Sequence, residues 1–152
     1  MVFKLTVEGF REGGVIPREH TCEGDDRSPA LTWQDAPRTT KSFALIVDDP
    51  DAPMGVWNHW LLWDIPADAA RIEAGFKPGA LGISGANDFR KTGYNGPCPP
   101  RGHGVHRYFF KLHALDVSSL GLAAGANRAK LDAALQGHVL AEAAYMGRYE
   151  RK

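Results

Sequence analysis

The chain has 152 residues, of which 43% are hydrophobic and 24% charged, and its 18 basic and 18 acidic side chains balance. This length and composition predict one soluble domain, residues 1–152, and the balanced charge argues against a nucleic-acid-binding protein. No apolar run reaches the roughly 18 residues of a membrane-spanning helix, and the N-terminal MVFKLTVEGF lacks a signal-peptide core, so a cytoplasmic protein is expected.

Strands dominate the predicted elements. Residues 2–8 alternate between apolar and polar side chains, which is typical of a half-buried strand. A short strand is predicted at 31–33, and the compact apolar run at 42–48 predicts a buried one. Residues 56–66 and 106–117 alternate again. Because no helical segments separate these strands, they favour an antiparallel β-sandwich.

The alternation also predicts which side chains share a face. In the segment 56–66, one face should carry Trp57, His59, Leu61 and Trp63. In the segment 106–117, one face should carry His106, Tyr108, Phe110, Leu112 and Ala114. Near the C-terminus, Asn127 can cap a helix, and a loose helical period follows it.

Reactive side chains concentrate in three places: the turn DDPDAPMG at 48–55, the strand that carries His59, and the loop GYNGPCPPRGHGV at 93–105 with the histidine and tyrosine that follow it. If the strand faces meet, two imidazoles and a phenol converge beside rigid proline walls. Glycines in the loop allow a close approach of the backbone. This pattern predicts a small anion-binding cavity whose members are His59, Pro99, Pro100, Gly102, Gly104, His106 and Tyr108.

Other interpretations compete with this one. His59 alone is equally well explained as a core histidine bonded to the backbone. His103 and His106 with a carboxylate could bind zinc, but a pair of histidines three apart on an irregular loop is a weak signal. Cys98 beside a histidine could be a nucleophile, although a cysteine between two prolines is better explained as a structural thiol. We expect neither a metal site nor a cofactor.

Two long motifs resemble a known family. DDPDAPMGVWNHWLLWDIP, followed by GYNGPCPPRGHGVHRYFFKLHALD, is similar to the phosphatidylethanolamine-binding proteins, also called the Raf kinase inhibitor-like family, and in particular to their short bacterial and archaeal branch. The resemblance implies a mainly β fold, a sandwich of two antiparallel sheets with Greek-key connections. It also implies that the chain returns as a strand at 140–149, which leaves a short helix at about 127–136.

The family has a small anion-binding cavity at one edge of the sandwich. Matched by position, the residues that would bind the ligand here are Asp49, Asp51, Trp57, His59, Pro99, Pro100, Gly102, His106 and Tyr108. The resemblance implies that the cavity accepts phosphate-like groups, including the phosphoethanolamine head. A protonated His59 or His106 would supply charge and Tyr108 a hydroxyl donor.

The function that follows is a non-enzymatic binding protein for phosphate-like anions or phospholipid head groups. A protein-interaction inhibitor of a kinase or a serine protease is the first alternative, since some family members are such inhibitors. A hydrolase that uses the same pocket is the second. The resemblance also raises the expectation of a homodimer.

Two covalent features follow from the family layout. The peptide bond between Ala52 and Pro53 is expected to be cis, because the family turn is built this way. Cys22 and Cys98 are expected at the same end of the sandwich, close enough for a bridge. Because disulfides are uncommon in a reducing cytosol, two free thiols are the expected outcome.

Overall fold

The structure, a computed structural model, describes residues 2–152. The predicted strands and the C-terminal helix are present with small shifts of their ends, and two further short strands lie between residues 67 and 105. The elements are β1 (Lys4–Val7), β2 (Leu31–Gln34), β3 (Ser42–Asp49), β4 (Trp57–Pro66), β5 (Arg71–Ile72), β6 (Ile83–Ser84), β7 (His106–Leu115), α1 (Arg128–Leu135) and β8 (Val139–Tyr149).

The strands form two antiparallel sheets. One has three strands in the order β1-β2-β5, and the other has five in the order β6-β4-β3-β7-β8. In the larger sheet, β3, β4 and β6 lie side by side, and the chain then makes a long connection that returns β7 to the free side of β3. This path is a Greek key, so the predicted two-sheet sandwich with Greek-key connections is confirmed.

The main hydrophobic core lies between the two sheets. Alternate residues of β3 and β7 point into it, as the sequence pattern predicted, whereas the alternation of β4 is interrupted by register shifts. Full burial of one large apolar side chain contributes about 1.5 to 3 kcal/mol, so this layer supplies much of the stability. Its buried members from β3, β4 and β7 are Phe43, Leu45, Val47, Trp60, Leu62, Ile65, Phe110, Leu112 and Ala114.

Helix α1 covers the opposite face of the larger sheet. Its start is capped by Asn127, whose side-chain oxygen accepts a hydrogen bond of 3.0 Å from the backbone N–H of Lys130. The helix buries Leu131 and Leu135 against Ile46, Leu61 and Trp63 of the sheet. Among residues 2–152, no helix is long and apolar enough to cross a membrane.

The pairing of β3 with β4 slips by one residue at His59. Val47 pairs with Trp60, but Asp48 pairs with Asn58, which leaves His59 as an extra residue in β4. Such a β-bulge turns consecutive side chains to the same face of the sheet. The predicted shared face of His59 with Leu61 and Trp63 is therefore wrong. His59 instead lies on the inner face, where its ring centroid is 5.2 Å from that of Tyr108.

Candidate functional site

A cavity of about 320 Å³ lies at one end of the sandwich, where β3, β4 and β7 begin or end. One of its wall residues, Met54, is 94% exposed, so the cavity opens to solvent on that side. Most of the wall is apolar, and the polar groups are few. The lining residues are Asp49, Ala52, Pro53, Met54, Trp57, His59, Phe89, Cys98, Pro99, Pro100, His106 and Tyr108.

The central polar element is a buried carboxylate–imidazole pair. The Nδ1 atom of His106 lies 2.6 Å from Oδ2 of Asp49, and the two side chains are only 2% and 4% exposed. Strands β3 and β7 pair in regular register up to Asp48, which brings the end of β3 beside the start of β7. Because the carboxylate accepts the hydrogen bond, Nδ1 of His106 carries a hydrogen, and the orientation of its ring is fixed.

Tyr108 and His59 are the other polar side chains of the wall, and their rings pack edge to face. The Tyr108 hydroxyl is buried near the Asp49 carboxylate, but it makes no hydrogen bond of regular geometry among residues 2–152. Burial, together with the charge of Asp49, raises the pKa of Tyr108, so its hydroxyl remains a donor. His59 donates from Nδ1 to the backbone oxygen of Asn95 at 2.7 Å. Burial lowers the pKa of His59 below its ordinary 6.5, so the ring is neutral at pH 7 and does not supply the charge expected from the sequence.

Two of the nine sequence-predicted site residues lie outside the cavity wall. Asp51 turns outward, where its carboxylate pairs with the Arg107 guanidinium at 2.8 Å. The hydrogen bond from that guanidinium lowers the pKa of Asp51 from 3.8 to about 2. Gly102 lies on the outer turn, and its N–H donates to the backbone oxygen of Arg151 at 3.0 Å. The structure brings the other seven together around one opening.

The turn between β3 and β4 differs from its prediction. Residues 2–152 contain no cis peptide bond, so the Ala52–Pro53 bond is trans and the predicted cis bond is wrong. The reversal is made by hydrogen bonds instead. The N–H of Asp51 donates to Oδ1 of Asp49 at 2.7 Å, and the N–H of Gly55 donates to the Ala52 oxygen at 3.1 Å. The first of these bonds occupies the second oxygen of the buried carboxylate.

Comparison with known proteins agrees with this fold. The family model described as phosphatidylethanolamine-binding protein matches residues 6–150. The chain belongs to the phosphatidylethanolamine-binding protein family. A UPF0098 protein of Aquifex aeolicus is 48% identical over 153 residues, which cover 99% of this chain and 90% of the relative.

Two solved structures are similar throughout. One is CT736, a phosphatidylethanolamine-binding protein homologue from Chlamydia trachomatis, with a TM-score of 0.90 and 36% identity over 99% of this chain and 98% of the other. The other is YbcL of Escherichia coli, described as a new member of the mammalian PEBP family. It has a TM-score of 0.91 and 34% identity over 99% of each chain. These likenesses support the bacterial and archaeal branch of the family.

Cys22 and Cys98 of this family member form a disulfide, so the prediction of two free thiols is wrong. Their Cα atoms are 5.4 Å apart, within the range that a disulfide needs. Backbone hydrogen bonds align the two loops: the Cys22 N–H donates to the Pro97 oxygen at 3.1 Å. Gly96 allows the close approach, because a side chain there would lie 1.9 Å from the backbone oxygen of His20. The bridge fixes the wall that contains Cys98.

Two residues of the site, Phe89 and Asn95, were not predicted from the sequence. Phe89 packs edge-on against the rings of Trp57 and His59, with centroid distances of 5.6 and 5.3 Å. It lies in a loop without periodicity, and its only signal was an aromatic residue among polar ones. Asn95 supports His59 twice: its backbone oxygen accepts from the His59 ring, and its N–H donates to the His59 backbone oxygen, which has no partner in β3. Such support by a distant loop leaves no local pattern in the sequence.

His103 lies against His106 but outside the cavity wall. Its Nδ1 atom is 2.6 Å from Nε2 of His106. The sequence suggested that these two histidines could join a carboxylate in a zinc site. Within the described range 2–152, no group of three or more histidine, cysteine, aspartate or glutamate side chains is arranged to hold a metal ion. The two rings contact each other directly instead.

Proposed function

We propose that the cavity binds a phosphate-like anion, free or as a phospholipid head group, and that the protein is a binding protein rather than an enzyme. The observation that carries this proposal is the unpartnered hydroxyl of Tyr108, which is buried in the cavity wall beside the Asp49–His106 pair. A buried donor without a partner is costly, and a ligand oxygen would satisfy it. Membership of a family named for binding phosphatidylethanolamine supports the choice of ligand.

Each polar group of the wall has a distinct part in this proposal. Tyr108 donates its hydroxyl hydrogen to a ligand oxygen. Asp49 accepts from Nδ1 of His106, so the nitrogen left for the ligand is Nε2, which donates to a ligand oxygen in the imidazolium form of the ring. His59 uses Nδ1 for the backbone of Asn95, so its Nε2 is the atom available to the cavity.

The apolar part of the wall fits the rest of an esterified ligand. Met54, Trp57 and Phe89 line the cavity between its polar floor and the solvent. A phosphate monoester or a phospholipid head group would place its charged oxygens on the floor and its carbon atoms against these side chains. Pockets of this kind use a few polar groups for orientation and apolar surface for the remainder of the ligand.

The first test is an NMR titration with inorganic phosphate and with phosphoethanolamine. Ring signals of His59 and His106 are expected to shift together at millimolar ligand. Tyr108→Phe should weaken binding about ten- to a hundredfold, because it removes a hydrogen bond to a charged group. Tyr145→Phe is the matched control, since the Tyr145 hydroxyl donates to the Phe10 oxygen away from the cavity. Histidine signals that do not shift would disprove the anion site. Turnover of a phosphate ester would show that the protein is a hydrolase and would contradict the proposed binding function.

A second prediction concerns pH. Burial lowers the pKa of His59 below 6.5, and an anion in the cavity stabilises the imidazolium form. A bound anion should therefore raise the pKa of His59, and by linkage its affinity should increase as pH falls below 6.5 and decrease as pH rises. Sulfate is the suitable probe, because its charge does not change in this range.

This pH prediction is measured by following the His59 ring signal with and without saturating sulfate. His138 provides the internal control, because it lies at the opposite end of the β7–β8 pair, where it contacts Asp116. The pKa of His59 should rise on adding sulfate, while the ring signals of His138 should not respond to sulfate. Equal titration curves for His59 with and without sulfate would show that no anion binds beside His59.

Inhibition of a kinase or a serine protease stays a prediction of the family resemblance. The same holds for a homodimer and for a cytoplasmic location. Loss of inhibition after changes to surface loops, with the cavity intact, would favour the inhibitor function over ligand binding.

A further inference from the structure

Both ring nitrogens of His106 are already engaged. Nδ1 lies 2.6 Å from Oδ2 of Asp49, and Nε2 lies 2.6 Å from Nδ1 of His103. The hydrogen on Nδ1 is assigned by the carboxylate, which can only accept. One hydrogen must lie between Nε2 and His103, whichever of the two rings donates it. The atom that the proposed ligand needs is therefore occupied by a side chain of the protein itself.

The two partners of His106 differ in how firmly they are held. Asp49 is buried at the end of β3, and its second oxygen accepts from the Asp51 N–H. His103 is exposed, and it lies on a turn between Gly102 and Gly104. Both glycines have positive φ angles, 73° and 96°, and a side chain at either position would meet nothing within 4 Å. Of the two contacts, the one with His103 can open without a rearrangement of the sheet.

We propose that His103 is an internal competitor of the ligand, which caps Nε2 of His106 in the empty protein and is displaced when an anion binds. This inference rests on the proposed function. A ring nitrogen makes one hydrogen bond in the plane of its ring, so the imidazole of His103 and a ligand oxygen exclude each other at Nε2. The exchange includes a proton: the anion binds together with a proton on Nε2, which makes His106 an imidazolium that donates from both nitrogens. Hydrogen bonds to an ionised oxygen are about twice as strong as neutral ones, so an anion can replace the cap.

The cap lowers the measured affinity. Only the fraction of molecules with a free Nε2 can bind, and the apparent dissociation constant increases by the inverse of that fraction. It also discriminates against weak ligands. A neutral oxygen gains no more from Nε2 than His103 already provides, whereas a phosphate oxygen gains a charge-assisted bond. The cap therefore gives the cavity a preference for charged ligands.

The test compares phosphate affinity in His103→Ala and in the original protein. The net free energy of one hydrogen bond predicts that removing the cap lowers the dissociation constant of phosphate about two- to tenfold. His138→Ala is the matched control, an exposed histidine with a single side-chain partner, and it should leave the affinity unchanged. Weaker binding in His103→Ala would show that His103 is a ligand of the anion and would overturn the proposal. Unchanged binding would also overturn it.

A second measurement does not depend on affinity. In protein with ¹⁵N-labelled histidine, a scalar coupling across the hydrogen bond should connect Nε2 of His106 with Nδ1 of His103. Added phosphate should remove this coupling. A coupling that persists at saturating phosphate overturns displacement while leaving the anion site intact. If phosphate binds neither to the original protein nor to His103→Ala, the proposed function and the displacement are both wrong. A coupling in the protein without phosphate would then still show that His103 contacts His106.

Discussion

Replacing Asp49 with alanine is expected to lower the free energy of unfolding by about 1 to 3 kcal/mol, because the change leaves a buried imidazole N–H without its acceptor. The His106 ring is 2% exposed and cannot turn to water for a substitute. The variant should also lose phosphate binding, since nothing then fixes the orientation of the ring. Denaturant unfolding measures the first effect and the NMR titration measures the second.

Asp51→Ala is the matched control for this substitution. Its carboxylate pairs with Arg107 on the surface, where the two side chains are 27% and 50% exposed. Exposed ion pairs contribute about 0 to 1 kcal/mol, so a small loss is expected. If the two variants lose the same stability, the buried pair is not the structural centre of the site.

The second large effect is expected from the disulfide. Cys22 and Cys98 are 76 residues apart in the sequence, and closing a loop of that length stabilises a protein by about 4 kcal/mol in the chain-entropy model. The variant with both cysteines changed to alanine should therefore melt about 8 to 16 °C lower. Its phosphate affinity should also decrease, because Cys98 belongs to the cavity wall.

Treatment with a dithiol reductant provides the matching chemical experiment. The original protein under reducing conditions should unfold like the double variant, and the double variant should not respond to the reductant. Thiol counting on denatured, unreduced protein gives an independent check. Two reactive thiols per chain would contradict the bridge.

Much of the fold was accessible from the sequence because its strands obey simple alternation. The face of β7 that carries His106, Tyr108 and Phe110 was predicted from period two alone. The family resemblance placed Asp49, the last residue of β3, in the same cavity as His106 of β7. These two elements bring Asp49 and His106 together, so the centre of the site follows from regular strand geometry.

The remaining details depend on contacts between distant segments, which leave no local pattern. The bulge at His59 interrupts an alternation that looks continuous in the sequence, and its support comes from the loop at Asn95. The outward turn of Asp51 depends on Arg107, 56 residues further along the chain. The disulfide also leaves no local pattern, since its cysteines are 76 residues apart, and the general rarity of bridges in the cytosol predicts free thiols instead.

The extra residue in β4 has a consequence for the tolerance of the strand to substitution. On the C-terminal side of the bulge, Trp60 and Leu62 face the core, whereas on its N-terminal side Trp57 and His59 face the cavity. Because Leu61 and Trp63 are buried beneath helix α1, positions 58 to 63 should all be sensitive in a saturation mutagenesis. The phase change should appear in which property is lost: substitutions at Trp57 and His59 should reduce ligand binding, and those at Trp60 and Leu62 should reduce stability. Deleting His59 would bring the two halves into phase and remove a polar side chain of the cavity, so ligand binding should be lost, while the second register shift of this pair, between Phe43 and Leu45, would remain.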